Sequence, residues 1–207
     1  MKMAYLRGTL GAVLGFVFFA AGRVLAADVT LLFTGETHAM LYPCSCPVEV
    51  DGGVARRATL VKDIRTSSPN VLLVDSGAFC AGGLMDEYTQ SAELDMIRTE
   101  TALKAMEYMQ YDAAAVGGEE FNFGRQFIED AARKYRFAFV SANCDVPGVA
   151  PFVVRAFPGV KVGLIGATPL SARPKTGGLE IRDPKAAVAG AITRAKAAGA
   201  DCIVLLS

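Results

Sequence analysis

Residues 71–82, VLLVDSGAFCAG, contain the pattern that decides the fold of this chain. Four apolar residues run without interruption up to Asp75, and a loop with glycines at 77 and 82 follows. An apolar run of this kind is typical of a strand that is covered on both faces, as in a parallel sheet. We therefore expect a buried strand that ends in a glycine-containing loop.

Similar patterns alternate with helical ones along the rest of the chain. Further near-continuous apolar runs predict buried strands at residues 28–34, 113–116, 137–142, 160–166 and 202–206, with a hairpin strand at 152–157. Apolar residues at helical spacing predict helices at residues 53–65, 89–109 and 125–134. A last helix should begin at Pro184 with Asp183 as its N-cap and end at Gly199. This succession predicts an α/β fold, with ligands bound in the loops beyond the carboxyl ends of the strands.

The amino-terminal residues have the pattern of a secretory signal peptide. Lys2 and Arg7 precede an apolar run at residues 10–22, and Val24 and Ala26 form the small-x-small pattern of a cleavage site. The run is too short to span a bilayer comfortably. We expect cleavage after Ala26, a domain at residues 27–207, a periplasmic or secreted location and no stable membrane span after cleavage.

The charge balance of the chain argues against nucleic acid as a partner. Without residues 1–26 the chain has 18 basic and 21 acidic residues. It therefore lacks the basic surface that a nucleic acid requires, and we expect no nucleic-acid partner. The adjacent carboxylates Asp86 and Glu87 are of the kind that is usually solvated.

Five cysteines remain after the predicted cleavage: Cys44, Cys46, Cys80, Cys144 and Cys202. An odd number leaves at least one thiol unpaired within an exported monomer. Cys144 and Cys202 lie in or beside apolar runs, so we expect both to be small buried side chains.

Three strand-end loops carry distinctive sequences: FTGETH at 33–38, DSGAFCAG at 75–82 and GGEEFNFG at 117–124. In order and spacing they resemble the 5′-nucleotidase (UshA-type) branch of the calcineurin-like metallophosphoesterases, where these stretches read roughly TNDxHG, DxGDxxxG and GNHExDxG. The resemblance implies a four-layer αββα sandwich. It also implies that the chain holds only the N-terminal part of that sandwich and is incomplete at its carboxyl end, because the family has further histidine motifs beyond the last strand.

The resemblance also implies a site for two divalent metals, zinc or manganese, that acts on a small phosphate ester. Glu36 stands in the place of the first aspartate and His38 is kept. The aspartate that bridges the metals in the family falls on Ala78, and the asparagine and histidine of the third motif fall on Gly118 and Glu119. Glu36, His38 and Glu119 remain as candidate metal ligands. Asp75 and Glu120 occupy positions that support the loops in the family.

Three cysteines lie close in sequence to the positions at which the family's metal ligands are replaced. We expect Cys44, Cys46 and Cys80 to face the region that the metals occupy in the family. Three uses of the thiols stay open. They can form a structural disulfide, a redox-active pair, or a mononuclear zinc-like site together with Glu36 and His38. Residues 41–60 also resemble a UshA-like (seleno)protein branch of the family, in which a Cys-x-Cys pair follows the first motif and the usual metal ligands are eroded, but this does not decide among the three uses.

Two functions follow from these residues. The first is a family member with a degenerate metal site that no longer hydrolyses phosphate esters and uses its thiols with a redox partner or a metal. The alternative is an active nucleotide phosphoesterase with a rearranged metal site. The replacement of the bridging carboxylate favours the first, because that group belongs to the catalytic machinery of two-metal hydrolysis.

Overall fold

The computed structural model of the protein describes residues 28–44 and 52–207. The predicted signal peptide and Cys46 lie outside these ranges. The helices and strands of the described part follow one another as β1 (Thr30–Thr34), α1 (Val54–Ser67), β2 (Val71–Asp75), α2 (Ala92–Tyr108), β3 (Ala113–Ala115), α3 (Arg125–Lys134), β4 (Ala138–Val140), β5 (Val153–Phe157), β6 (Val160–Gly166), α4 (Pro184–Ala197) and β7 (Cys202–Leu206), with 3₁₀ turns at Glu119–Phe121 and Leu170–Lys175. None of the helices in the described ranges has the length and apolar character needed to cross a membrane.

The strands form two sheets. The first contains β1, β2, β3 and β4 in that order, all parallel. The second has the order β5, β6, β7, with an antiparallel β5–β6 hairpin and a parallel β6–β7 pair. Because the strands of the first sheet are parallel, the loops after β1, β2 and β3 leave the same edge of the sheet.

The sheets and helices stack in four layers. Leu72, Val74 and Val140 of the first sheet pack against Val162 and Leu164 of the second. On its other face the first sheet packs against helices α1, α2 and α3, and α4 packs on the second sheet. The prediction of an αββα sandwich is confirmed.

Several predicted elements have the bounds that the sequence suggested. Helix α3, β2, β6 and β7 begin and end at the predicted residues. Helix α4 begins at Pro184, and the Asp183 side chain accepts a hydrogen bond from the Ala186 backbone N–H at 2.8 Å, as expected of an N-cap. Gly199 follows the helix with φ 91°, a left-handed conformation that favours glycine.

The expectation that every strand is covered on both faces is wrong for β1 and β7. Leu31 and Phe33 of β1 are 43% and 74% exposed, and Cys202 on β7 is exposed instead of buried. Both strands lie at an edge of their sheet, where cover by the neighbouring layer stops. An apolar run therefore identified these strands correctly but not their position in the sheet.

Candidate functional site

The loops after β1 and β2 continue side by side beyond the sheet. The backbone N–H groups of Glu36, His38 and Ala39 donate to the carbonyl oxygens of Gly77, Ala78 and Phe79 at 2.9–3.0 Å. This pairing fixes the first two family motifs relative to each other, residue against residue.

Four residues in these loops have left-handed backbone conformations although they are not glycine. Their φ angles are 49° at Glu36, 44° at His38, 50° at Ala39 and 55° at Ala78. Each such residue is strained by about 1–2 kcal/mol, and strain of this kind concentrates at functional sites. The surrounding contacts must therefore hold these loops in place.

Asp75 and Glu120 supply much of that support. Asp75 accepts hydrogen bonds from the Thr34 hydroxyl at 2.5 Å and the Gly77 N–H at 2.8 Å. Glu120 is fully buried and accepts from the N–H groups of Phe79 at 2.9 Å and Gly117 at 2.7 Å, so it joins the second loop to the third. Burial, followed by the nearby charge of Asp75, raises the pKa of Glu120 to about 7. The supporting role that the resemblance implied for both residues is consistent with these contacts.

The third loop contacts the first through a hydrogen bond between two side chains. The Nδ1 atom of His38 lies 2.7 Å from Oε2 of Glu119, and the two side chains are only 16% and 18% exposed. Gly83 adjoins this pair, because a Cβ atom at Gly83 would lie 2.2 Å from Oε1 of Glu119. The structure thus brings together two of the three predicted metal-ligand candidates.

The third candidate, Glu36, lies on a cleft between the loops. This cleft of ≈ 370 Å³ is lined mainly by small residues, among them Ser76, Ala78, Gly118 and Thr168. Glu36 is the only Asp, Glu, Lys, Arg or His side chain among the lining residues in the described part of the chain, and the methyl group of Ala78 lies where the resemblance implies a bridging carboxylate. The cleft therefore has little charge with which to hold a cation.

The predicted thiol residues occupy different environments. Cys80 was expected to face the cleft, but it is fully buried in the core that includes Phe79 and Leu103. Burial, and then the charge of Glu120, raises the pKa of the Cys80 thiol well above its usual value, and its sulfur forms no disulfide with any described residue. Cys44 is half-buried in the loop after His38. The redox role of Cys44 and Cys46 stays a prediction.

One important residue was misjudged in the sequence. Asp86 was expected to be solvated, yet it is 7% exposed and pairs with Nη2 of Arg98 at 2.5 Å. Burial alone would raise the pKa of Asp86, but hydrogen bonds from the Gly82 and Tyr88 N–H groups and from Arg98 outweigh it and lower the pKa. The sequence spacing between Asp86 and Arg98 gave no signal of this contact.

Comparison with known proteins shows that the chain is similar to 5′-nucleotidases and to a calcineurin-like phosphoesterase. The chain is 31% identical to a snake venom 5′-nucleotidase from Gloydius brevicauda over 173 residues, which cover 74% of the chain. It superposes on the crystal structure of a 5′-nucleotidase precursor from Thermus thermophilus with a TM-score of 0.76 and 30% identity over 86% of the chain. It also matches the calcineurin-like phosphoesterase YfkN from Bacillus subtilis, with a TM-score of 0.69 and 30% identity.

The chain belongs to the 5′-nucleotidase family of calcineurin-like phosphoesterases. Its layers correspond to the N-terminal metallophosphoesterase domain of those 5′-nucleotidases. No model of a protein family matches the sequence. The chain spans 28% of the length of the venom relative and 36% of the Thermus thermophilus chain.

The residues present do not fit the dinuclear metal centre that the 5′-nucleotidase family implies. Alanine at position 78 cannot bridge two cations, and Gly118 has no side chain to donate. Within residues 28–44 and 52–207, no three His, Cys, Asp or Glu side chains form a group that could hold a metal ion. The described part of the chain therefore assembles neither the predicted set of Glu36, His38 and Glu119 nor a site that adds Cys44 or Cys80 to it.

Proposed function

We propose that this protein is an exported member of the 5′-nucleotidase family that does not hydrolyse phosphate esters by two-metal catalysis. The observation that carries the proposal is Ala78, which lines the cleft. The resemblance in motifs assigns the bridging carboxylate of the family to this position. Two cations a few ångströms apart repel each other strongly, and a shared carboxylate is what offsets that repulsion while holding the attacking water. Glu36 alone is too little negative charge to replace it.

The state of Glu119 supports the same proposal. In the family this position holds a histidine, whereas here a carboxylate lies 2.7 Å from His38. A carboxylate cannot neutralise the negative charge that develops on a transferred phosphoryl group, and it would repel the phosphate instead. Both the metal-bridging and the charge-stabilising roles are therefore missing.

The chemistry that we assign to the protein is reversible oxidation of Cys44 and Cys46. Cys44 is partly accessible in the loop that follows His38, whereas Cys80 and Cys144 are buried and their pKa values are raised, so their thiolates form less readily. In this reaction the two thiols lose two protons and two electrons and form a disulfide, while a disulfide of a thiol partner is reduced to two thiols. A Cys-x-Cys bridge is strained and thus readily reduced again.

A hydrolysis assay tests the first half of the proposal. The exported protein, purified and supplied with Mn²⁺ or Zn²⁺, is offered AMP and bis(p-nitrophenyl) phosphate next to a Glu36→Ala variant. We expect no release of phosphate or nitrophenol above the variant. Turnover that disappears in Glu36→Ala would show that the rearranged site is catalytic.

Thiol mapping tests the second half. The protein is equilibrated with a range of dithiothreitol redox buffers, and alkylated peptides are quantified by mass spectrometry in the native chain and in Cys44→Ser, Cys46→Ser and Cys202→Ser variants. We expect Cys44 and Cys46 to change state together, each serine variant to abolish the change in the other thiol, and Cys202→Ser to have no effect. Independent behaviour of the two thiols would refute the assignment.

A further inference from the structure

We propose that Arg98 is the positioning residue of the His38–Glu119 pair and that it acts on both partners. Arg98 lies on α2, and its side chain is 14% exposed. Its hydrogen bonds and ion pairs go to the backbone carbonyl oxygens of His38 and Tyr88 and to the carboxylates of Asp86 and Asp95. Its influence on the pair runs through backbone atoms and through one buried aspartate, Asp86.

The first contact is with His38 itself. Arg98 Nη2 donates to the backbone carbonyl oxygen of His38 at 3.0 Å. His38 has φ 44°, so its backbone needs external contacts to stay in this conformation. A charge-assisted hydrogen bond to the carbonyl provides one, and it sets the direction in which the imidazole leaves the loop.

The second contact reaches Glu119 through the loop at residues 82–88. Arg98 pairs with Asp86 at 2.5 Å, and the Asp86 N–H donates to the Gly83 carbonyl at 3.1 Å. Gly83 lies directly against the Glu119 carboxylate, with room for no more than a hydrogen atom. By fixing the position of Asp86, Arg98 therefore also fixes the Gly83 backbone that contacts the Glu119 carboxylate.

Charge makes this arrangement specific for arginine. Asp86 and Asp95 are both buried, and Arg98 lies 2.5 Å from the first and 3.5 Å from the second. The same guanidinium also donates to the Tyr88 carbonyl oxygen. A planar group with several donors can serve all of these acceptors and His38 at once, and a lysine ammonium cannot.

His38 is the single histidine of the chain, so the environment of its imidazole can be measured directly. Long-range ¹H–¹⁵N spectra of the untagged protein at one fixed pH report the environment of the His38 Nδ1 atom. We expect the native Nδ1 proton to be protected and to exchange about tenfold faster or more with water in Arg98→Lys, as the loss of a hydrogen bond from the charged guanidinium to the His38 carbonyl predicts. Arg125→Lys is the matched control, because Arg125 is 42% exposed and pairs with Glu129 one turn along its own helix, α3.

A second pair of variants tests the route to Glu119. Gly83→Ala keeps Arg98 but pushes the Glu119 carboxylate away, so it should produce the same change in exchange and in the Nδ1 signal. Gly190→Ala is its control, because no atom lies within 4 Å of a Cβ at that position. Circular dichroism confirms that each variant is folded.

If Arg98→Lys does not fold, Asp86→Asn replaces it, because it weakens the hold of Arg98 on the loop with an isosteric side chain. An unchanged imidazole signal in folded Arg98→Lys, or in folded Asp86→Asn when the lysine variant does not fold, overturns the proposal. An unchanged signal in folded Gly83→Ala overturns the step through Gly83.

Discussion

We expect the native protein to lose folding stability between pH 4.5 and about 7, and replacing Glu120 with glutamine should remove most of that loss. Glu120 is fully buried, and its two oxygens accept the backbone N–H groups of Phe79 and Gly117. Burial and the charge of Asp75 disfavour its ionised form. The folded protein therefore keeps this proton at a pH at which the unfolded chain has released it.

The sign and size follow from that difference. The pKa of Glu120 is raised from 4.5 to about 7, so between these values the folded state binds more protons and its stability falls as the pH rises. A difference of about 2.5 pKa units corresponds to about 3 kcal/mol, present in full below pH 4.5 and lost above about 7. A glutamine at position 120 does not titrate, but its amide NH₂ faces one of the two N–H donors and leaves it unpaired, which costs about 1–3 kcal/mol.

The free energies of unfolding of the native protein and of Glu120→Gln should therefore converge as the pH rises. At low pH the glutamine variant is less stable than the native protein, and the gap narrows or closes as the pH rises past 7. Urea unfolding between pH 4.5 and 8 in the presence of EDTA measures both curves, with the exposed Glu93→Gln as a control that keeps the native slope. The reasoning fails if the native stability is flat or rises over this range, or if Glu120→Gln keeps the native slope.

Other regions of the fold give further expectations. Alkylation followed by mass spectrometry should label exposed Cys202 in the native protein and Cys80 only after unfolding, because Cys80 is fully buried; labelling of both at equal rates would contradict the burial. Asp183→Ala should lower the free energy of unfolding by about 1 kcal/mol in urea titrations, because the α4 N-terminus loses its cap, and an effect below a few tenths would be inconsistent with that role. Phe139→Ala should lower it by about 3–5 kcal/mol, because Phe139 is 1% exposed in the main core; a loss under 1 kcal/mol would contradict tight packing there.

The sequence predicted the elements of this fold well because their signals are local. The apolar run of β2, the helical spacing of α3 and the Asp183-Pro184 start of α4 each lie within one segment; β2 and α3 have the predicted bounds, and α4 has the predicted start. The order of these elements and the family motifs were enough to predict the layers. The exposed faces of β1 and β7 were missed, because the place of a strand in its sheet is a property of the whole fold.

The site was harder to predict than the fold. The His38–Glu119 pair joins residues 81 positions apart, and the Asp86–Arg98 pair joins a loop to a helix. The motifs assigned Glu119 to the third loop but did not predict its contact with His38. Cys80 lies two residues after Ala78, yet in a loop with left-handed residues the alternation of an extended strand no longer tells which way a side chain points.

The left-handed backbone at Ala78 has a consequence for substitutions at this position. Aspartate tolerates this conformation better than alanine, since its short polar side chain can bond to the nearby backbone. The pairing of His38 with the Ala78 carbonyl involves only main-chain atoms and is independent of the side chain. An Ala78→Asp variant should therefore place a carboxylate on the cleft without any change of backbone.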